Sequence, residues 1–117
     1  MIAFDGSATG RKMVQTVAGS PLLKGMACHI VMVADDTPKH QHYLGWACEA
    51  MNEAGFSVTG SLKQGDAVAV LRDYLTGNSI DLLLMGAHGH SRIRELIVGS
   101  TTTTLLRTSP VPALVMR

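Results

Sequence analysis

The run Leu82-Leu83-Leu84-Met85 is apolar without interruption, and Gly86 follows it directly. A strand that is covered on both faces shows no alternation of polar and apolar residues, as is typical of the centre of a parallel sheet. A second mostly apolar run, CHIVMVA at residues 28–34, is rich in β-branched residues. It predicts another buried strand.

Three weaker strand signals surround these two runs. Residues 2–4 form a short apolar stretch, and residues 56–62 alternate apolar with polar side chains, which indicates a half-exposed edge strand. The segment from Val111 to Met116 contains Pro112, which favours the other edge. Segments of helical periodicity lie between the strands, and the candidate helix starts are Ser7 or Thr9, Asp36 or Thr37, Gly65-Asp66, and a position near Ser100.

The resulting pattern βαβαβαβαβ predicts an α/β fold with a doubly wound, Rossmann-like sheet. Right-handed crossovers leave few topologies, and the five parallel strands fit the order 3-2-1-4-5, with helices on both faces. We expect residues 1–117 to form a single domain. In such a sheet, ligands bind at the carboxyl ends of the strands where the order reverses, here beyond strands 1 and 4.

The composition excludes several classes of partner. Lys and Arg number 10 and Asp and Glu number 9, for a net charge of +1, and the charges form no block of one sign. We therefore expect neither nucleic acid nor a membrane surface as a partner. No apolar run approaches the roughly 18 residues of a membrane span. Two cysteines, Cys28 and Cys48, are too few for a disulfide framework, so we expect a cytoplasmic protein.

The segment GAHGHSRIRELIVGS at residues 86–100 is the most informative for function. Gly86, Gly89, Gly99 and Ser100 have the spacing G-x2-G-x9-G-[ST]. Glycines let backbone amides approach an anion, and a helix that starts near Ser100 favours phosphate at its N-terminus. The spacing predicts a phosphate-binding loop. Two unrelated turns are the alternative, since 12 of the 117 residues are glycine.

The opening IAFDGS, the strand alternation, this glycine spacing and the closing SPVPALVM together resemble the universal stress protein family. The resemblance covers nearly the whole chain and includes all four defining positions of the family's nucleotide-binding motif. It implies the sheet order given above and an adenine-nucleotide site. The segment GHSRIRELIVGSTTTTLLR also resembles the second halves of tandem universal stress proteins.

The resemblance assigns roles to individual positions. Asp5 matches the family aspartate near the ribose and adenine, and Val33 matches a position whose backbone contacts the adenine edge. The loop and helix start that hold ribose and phosphates match Gly86, Gly89, Gly99, Ser100 and Thr101, and His90 matches a position in that loop that is often basic. The implied ligand is ATP, or ADP or AMP, with Mg²⁺ carried by the phosphates.

We predict no catalytic residue and no metal site built from the protein. Asp5 lacks a paired acid or a nucleophile, so we expect slow ATP hydrolysis at most. The pairs His88-x-His90 and His40-x-His42 each offer two imidazoles, whereas zinc needs three or four ligands. We interpret these residues as solvated loop histidines.

These features predict an ATP-binding stress-response or regulatory module. The alternative is a dimerisation or signalling domain that does not use nucleotide, and the intact glycine motif favours the first. The edge strand from Val111 to Met116 would expose unpaired backbone groups. We therefore expect a homodimer, or pairing with the other half of a tandem protein, through this edge.

Overall fold

The computed structural model describes residues 1–86 and 100–116. In this part of the chain, strands and helices alternate as the sequence predicts. The elements are β1 (Ile2–Ala3), α1 (Ala8–Ala18), β2 (Ala27–Val33), α2 (Pro38–Glu53), β3 (Ser57–Lys63), α3 (Ala67–Gly77), β4 (Leu83–Gly86), α4 (Ser100–Thr108) and β5 (Ala113–Met116).

The five strands form one sheet in the order β3-β2-β1-β4-β5, and every neighbouring pair is parallel. In β1, Ile2 lies opposite Ile30 on one side and Leu84 on the other. The predicted fold class and strand order are therefore confirmed, with β3 and β5 at the edges.

The central strand β1 has only two residues, one fewer than predicted. Hydrogen bonds extend it in both directions, because Leu84 N–H donates to Met1 C=O at 2.8 Å and Phe4 N–H donates to Val31 C=O at 3.0 Å. Neighbours on both sides thus hold a segment that would be too short to persist at an edge. At the other end of the chain, β5 begins at Ala113 because Pro112 has no N–H for the ladder.

Both faces of the sheet are covered. Ile30 and Met32 of β2 pack in the core formed with α1 and α2, whereas Val31 between them packs in the core formed with α3 and α4. In β4, Leu84 faces the first core and Leu83 the second. The uninterrupted apolar runs of these strands follow directly from this burial on two sides.

Polar caps determine where the first three helices begin. Ser7 rather than Thr9 caps α1, and its Oγ accepts a hydrogen bond from Gly10 N–H at 3.0 Å. Thr37 rather than Asp36 caps α2, and Asp66 caps α3. The side chains of these residues accept hydrogen bonds from N–H groups of the first turn, which have no partner within the helix.

The threonine run of α4 is helical even though threonine favours strands. The apolar side of the helix overrides that propensity, because Leu105 is 1% exposed in the second core. This helix is also attached to the sheet by a buried hydroxyl, described below.

We expect truncation of a central-strand leucine to be far more costly than truncation of an exposed one. Leu83 is 0% exposed and Leu22 is 90% exposed. Leu83→Ala should lower the free energy of unfolding by about 2–5 kcal/mol, through lost burial and the cavity left behind. The control Leu22→Ala should change it by less than about 0.5 kcal/mol. Urea denaturation measures both, and equal losses would contradict the two-sided burial of β4.

Candidate functional site

The candidate site lies at the carboxyl ends of the neighbouring strands β1 and β4. From β1 the chain passes through α1 to β2 on one side, whereas α4 leads to β5 on the other. The ends of β1 and β4 lie side by side, and in sheets whose connections diverge in this way ligands bind in a crevice at that point. Asp5 follows β1, and Gly86 is the last residue of β4.

The carboxylate of Asp5 is held by the turn that starts α1. Its Oδ1 accepts a hydrogen bond from Ser7 N–H at 2.9 Å, and Ser7 Oγ accepts one from Gly10 N–H at 3.0 Å. Asp5 is half-buried. A ligand in the crevice would therefore meet an anionic acceptor whose orientation the backbone has set.

Gly6 makes this turn possible in two ways. Its φ is +79°, in the left-handed region that residues with a Cβ rarely adopt. A Cβ at Gly6 would also lie 2.5 Å from Cδ2 of Tyr43, which belongs to α2. The aromatic ring thus packs directly on the turn that carries Asp5.

Val33 ends β2 next to the crevice. Ala34 N–H donates to Lys63 C=O at 2.9 Å, so Ala34 faces β3. Backbone groups of successive residues point to opposite sides of a strand, which places those of Val33 on the β1 side. The last registered pair between β1 and β2 is Ala3 with Val31, so Val33 extends two residues further. Its side chain packs in the second core, and its main chain is the part that faces the crevice.

Two helices close on Gly86 from opposite faces of the sheet. A Cβ at Gly86 would lie 3.3 Å from Cγ2 of Thr9 in α1. From α4, Thr102 Oγ1 donates a 2.9 Å hydrogen bond to Gly86 C=O, and Thr102 is only 7% exposed. This bond attaches the first turn of α4 to the end of β4.

The attachment brings the N-terminus of α4 to the crevice. The helix begins at Ser100, and Thr101 follows as an exposed residue. The N–H groups of a first helical turn have no partner within the helix and carry partial positive charge. Thr102 was not among the predicted site residues, because nothing in four consecutive threonines marks the one that turns inward.

The structure thus brings together Asp5, the main chain of Val33, Gly86 and the helix start at Ser100 and Thr101. The other predicted positions, Gly89, His90 and Gly99, lie outside the described residues, as does His88.

His40 and His42 are not loop residues, contrary to our interpretation of the sequence. Both belong to α2, which starts at Pro38. Nδ1 of His40 lies 2.7 Å from Asp35 C=O, so it carries the proton and donates. Within residues 1–86 and 100–116, no group of three or more His, Cys, Asp or Glu side chains is arranged to hold a metal ion.

The two cysteines are free thiols in packed surroundings. Burial raises the pKa of the Cys28 thiol, and burial likewise raises the pKa of the Cys48 thiol. Higher pKa values keep both groups protonated near neutral pH, which disfavours thiolate chemistry. Among the helices of the described residues, none has the length and apolarity to cross a membrane.

The sequence profile of the Universal stress protein family matches residues 1–117. The chain belongs to the universal stress protein family. It is 44% identical to universal stress protein Slr1230 of Synechocystis sp. over 119 residues. The aligned region covers 100% of this chain and 42% of that protein, so the chain spans less than half of the relative's length. It is 25% identical over 67 residues to universal stress protein MJ0577 of Methanocaldococcus jannaschii, which covers 57% of this chain and 41% of that protein.

Solved structures of family members share the fold at low sequence identity. The structure of MJ0577 has a TM-score of 0.87 at 20% identity and covers 98% of this chain and 93% of its own. A universal stress protein from Archaeoglobus fulgidus has a TM-score of 0.80 at 16% identity, with coverage of 99% and 96%. A universal stress protein in complex with cAMP has a TM-score of 0.76 at 20% identity, with coverage of 97% and 92%.

The packing of Tyr43 on Gly6 predicts a graded effect of alanine at two left-handed glycines. Gly25, with φ +85°, has nothing within 4 Å of an added Cβ, so Gly25→Ala introduces backbone strain alone. We expect it to cost about 1 kcal/mol of unfolding free energy. Gly6→Ala adds the clash with Tyr43 and should cost about 1–3 kcal/mol more. Thermal or urea unfolding of both variants measures the difference, and equal costs would refute the contact.

Proposed function

We propose that residues 1–117 act as one nucleotide-binding domain that holds an adenine nucleotide between β1 and β4, as a cytoplasmic stress-response or regulatory module. The observation that carries the proposal is the meeting of Asp5 and the start of α4 at one edge of the sheet. One end of the crevice then offers an anionic acceptor for a nucleoside, and the other offers a helix N-terminus for phosphates.

Each predicted residue has a place in this scheme. Asp5 accepts hydrogen bonds from the ribose or the adenine, and the main chain of Val33 contacts the adenine edge. The groups proposed to hold ribose and phosphates are Gly86, Gly89, His90, Gly99, Ser100 and Thr101. ATP, ADP and AMP all fit these requirements, and Mg²⁺ would be bound mainly by the phosphates. The structural neighbour in complex with cAMP, itself an adenine nucleotide, supports the ligand class.

Binding rather than turnover is the proposed activity. Asp5 lies next to the crevice, but its Oδ1 already accepts the Ser7 N–H at 2.9 Å. An oxygen that already accepts a backbone N–H suits a fixed ligand acceptor better than a group that must take a proton from the substrate. Phosphoryl transfer also needs a positioned water and groups that stabilise the charge of the transition state. We therefore expect hydrolysis to be slow at most.

A thermal-shift titration with ATP, ADP, AMP and GTP, with and without Mg²⁺, tests the proposal. A ligand at 100 times its Kd adds about 2.7 kcal/mol of stability. For a domain of this size, that is a rise in Tm on the order of 10 °C. We expect this rise with an adenine nucleotide and little with GTP.

Gly99→Val should abolish the ligand-induced shift, because a branched side chain would occupy the proposed phosphate position. Gly77→Val is the matched control. Nothing lies within 4 Å of a Cβ there. Gly77 ends α3 just before the chain enters β4, so it lies toward the amino ends of the strands, away from the proposed site. A protein shown to be free of nucleotide that responds to none of the four would favour the alternative, a partner domain that does not use nucleotide.

We also propose that the domain pairs through β5. This strand lies at an edge of the sheet and leaves Leu114 51% exposed. An apolar edge with unpaired backbone groups favours pairing with an equivalent strand. The partner is a second copy of this chain or the other half of a tandem protein.

Leu114→Lys should shift the homodimer toward monomer, because a charge would be placed in the paired edge. Leu22→Lys is the control, since Leu22 is 90% exposed and lies in the segment between α1 and β2. Size-exclusion chromatography with light scattering at micromolar concentration measures both variants. A wild-type protein that is only monomeric would reject the homodimer.

A further inference from the structure

Gly10 lies in the first turn of α1, directly against the Asp5 carboxylate. A Cβ at Gly10 would lie 2.9 Å from Asp5 Oδ1 and 3.2 Å from Cδ1 of Phe4. Non-bonded carbon atoms are ordinarily about 3.5–4.0 Å apart, so the Phe4 ring would resist an added methyl group. A distance below 3.0 Å between a Cβ and the carboxylate oxygen cannot persist without movement. An alanine at this position would therefore displace the carboxylate.

Two hydrogen bonds link Asp5, Ser7 and Gly10 within this turn. Ser7 N–H donates to Asp5 Oδ1 at 2.9 Å, and Gly10 N–H donates to Ser7 Oγ at 3.0 Å. The oxygen that a Cβ at Gly10 would push away is thus the one held by Ser7. Displacing it would weaken that bond and turn the carboxylate.

Glycine is a poor choice for a helix unless the space is needed. It is about 1 kcal/mol less favourable than alanine inside a helix. Gly45 in α2 has nothing within 4 Å of an added Cβ and lies at an exposed position, whereas Gly10 is buried against two side chains. The absence of a side chain at Gly10 therefore has a specific consequence for Asp5.

We propose that Gly10 is a positioning residue of the nucleotide site. It leaves room for Asp5 Oδ1 against α1, where Ser7 N–H holds it, and so directs Oδ2 toward a hydroxyl of the ligand's ribose. This inference rests on the proposed function and makes it narrower. The ligand is a ribonucleotide, and Gly10 contributes to its selection over a deoxyribonucleotide through Asp5.

Calorimetric titration of wild type and Gly10→Ala with ATP, 2′-deoxy-ATP and 3′-deoxy-ATP tests the proposal. A hydrogen bond to a charged group corresponds to about a tenfold or larger change in Kd. We expect wild type to bind ATP more tightly than at least one deoxy analogue by about this factor. Gly10→Ala should weaken ATP binding and bring the ATP and deoxy-ATP affinities together. Gly45→Ala should behave as wild type.

The double variant Asp5→Ala/Gly10→Ala separates positioning from a general structural effect. If Gly10 acts through Asp5, adding Gly10→Ala to Asp5→Ala should leave Kd unchanged, because the carboxylate is already absent. A further loss in the double variant, or unchanged ribose selectivity in Gly10→Ala, would overturn the proposal.

Asp5→Asn provides a second test that leaves the packing around Gly10 intact. The amide oxygen can still accept the Ser7 N–H, which turns an NH₂ donor toward the ligand in place of an acceptor. A ribose hydroxyl can accept from that NH₂, but the bond is no longer assisted by a charge, so we expect a smaller ribose preference than in wild type. A preference equal to that of wild type would overturn the proposed role of the carboxylate. If wild type binds no nucleotide, the proposed function fails and this inference with it. If wild type binds ATP and Gly10→Ala binds it identically, the inference alone fails.

Discussion

The burial of the central strands on both faces is the constraint on which the rest of this structure depends. Ile30, Val31 and Met32 alternate between two cores, so helices must cover both sides of the sheet. With parallel strands and right-handed crossovers, helices can cover both faces only if the chain adds strands first on one side of β1 and then on the other. That reversal places the ends of β1 and β4 together, at the position where we propose that the nucleotide binds.

The turn after β1 shows how tightly this edge is packed. Gly6 lies against Tyr43 of α2, and Gly10 lies against Asp5 and Phe4. Two side chains of the first core, Tyr43 and Phe4, therefore pack directly against positions that have no Cβ. The same contacts that seal the end of the core also orient the carboxylate, so the stability of the turn and the shape of the site are physically coupled.

The two edges of the sheet differ in chemistry. Ser57, Thr59 and Lys63 are exposed on β3, and polar or charged side chains discourage pairing at an edge. On β5, the exposed side chain is Leu114. This contrast explains why the proposed self-association involves one edge and not the other. The proposed nucleotide site and the proposed pairing edge are also separate in space, since Asp5 follows the central strand β1 and β4 lies between β1 and β5.

The sequence by itself determined the fold class, the strand order and the family, and it predicted the outline of the candidate site. Apolar runs, helical spacing and capping residues are local signals, and they agree with one another along the whole chain. They did not distinguish Ser7 from Thr9 as a cap, and they placed His40 and His42 in a loop. Only the tertiary structure decided which threonine of α4 turns inward to Gly86 and which side chains an added Cβ at Gly10 would meet. Those contacts join residues that lie far apart in the sequence or on different sides of a turn, and such proximity arises only when the helices pack on the sheet.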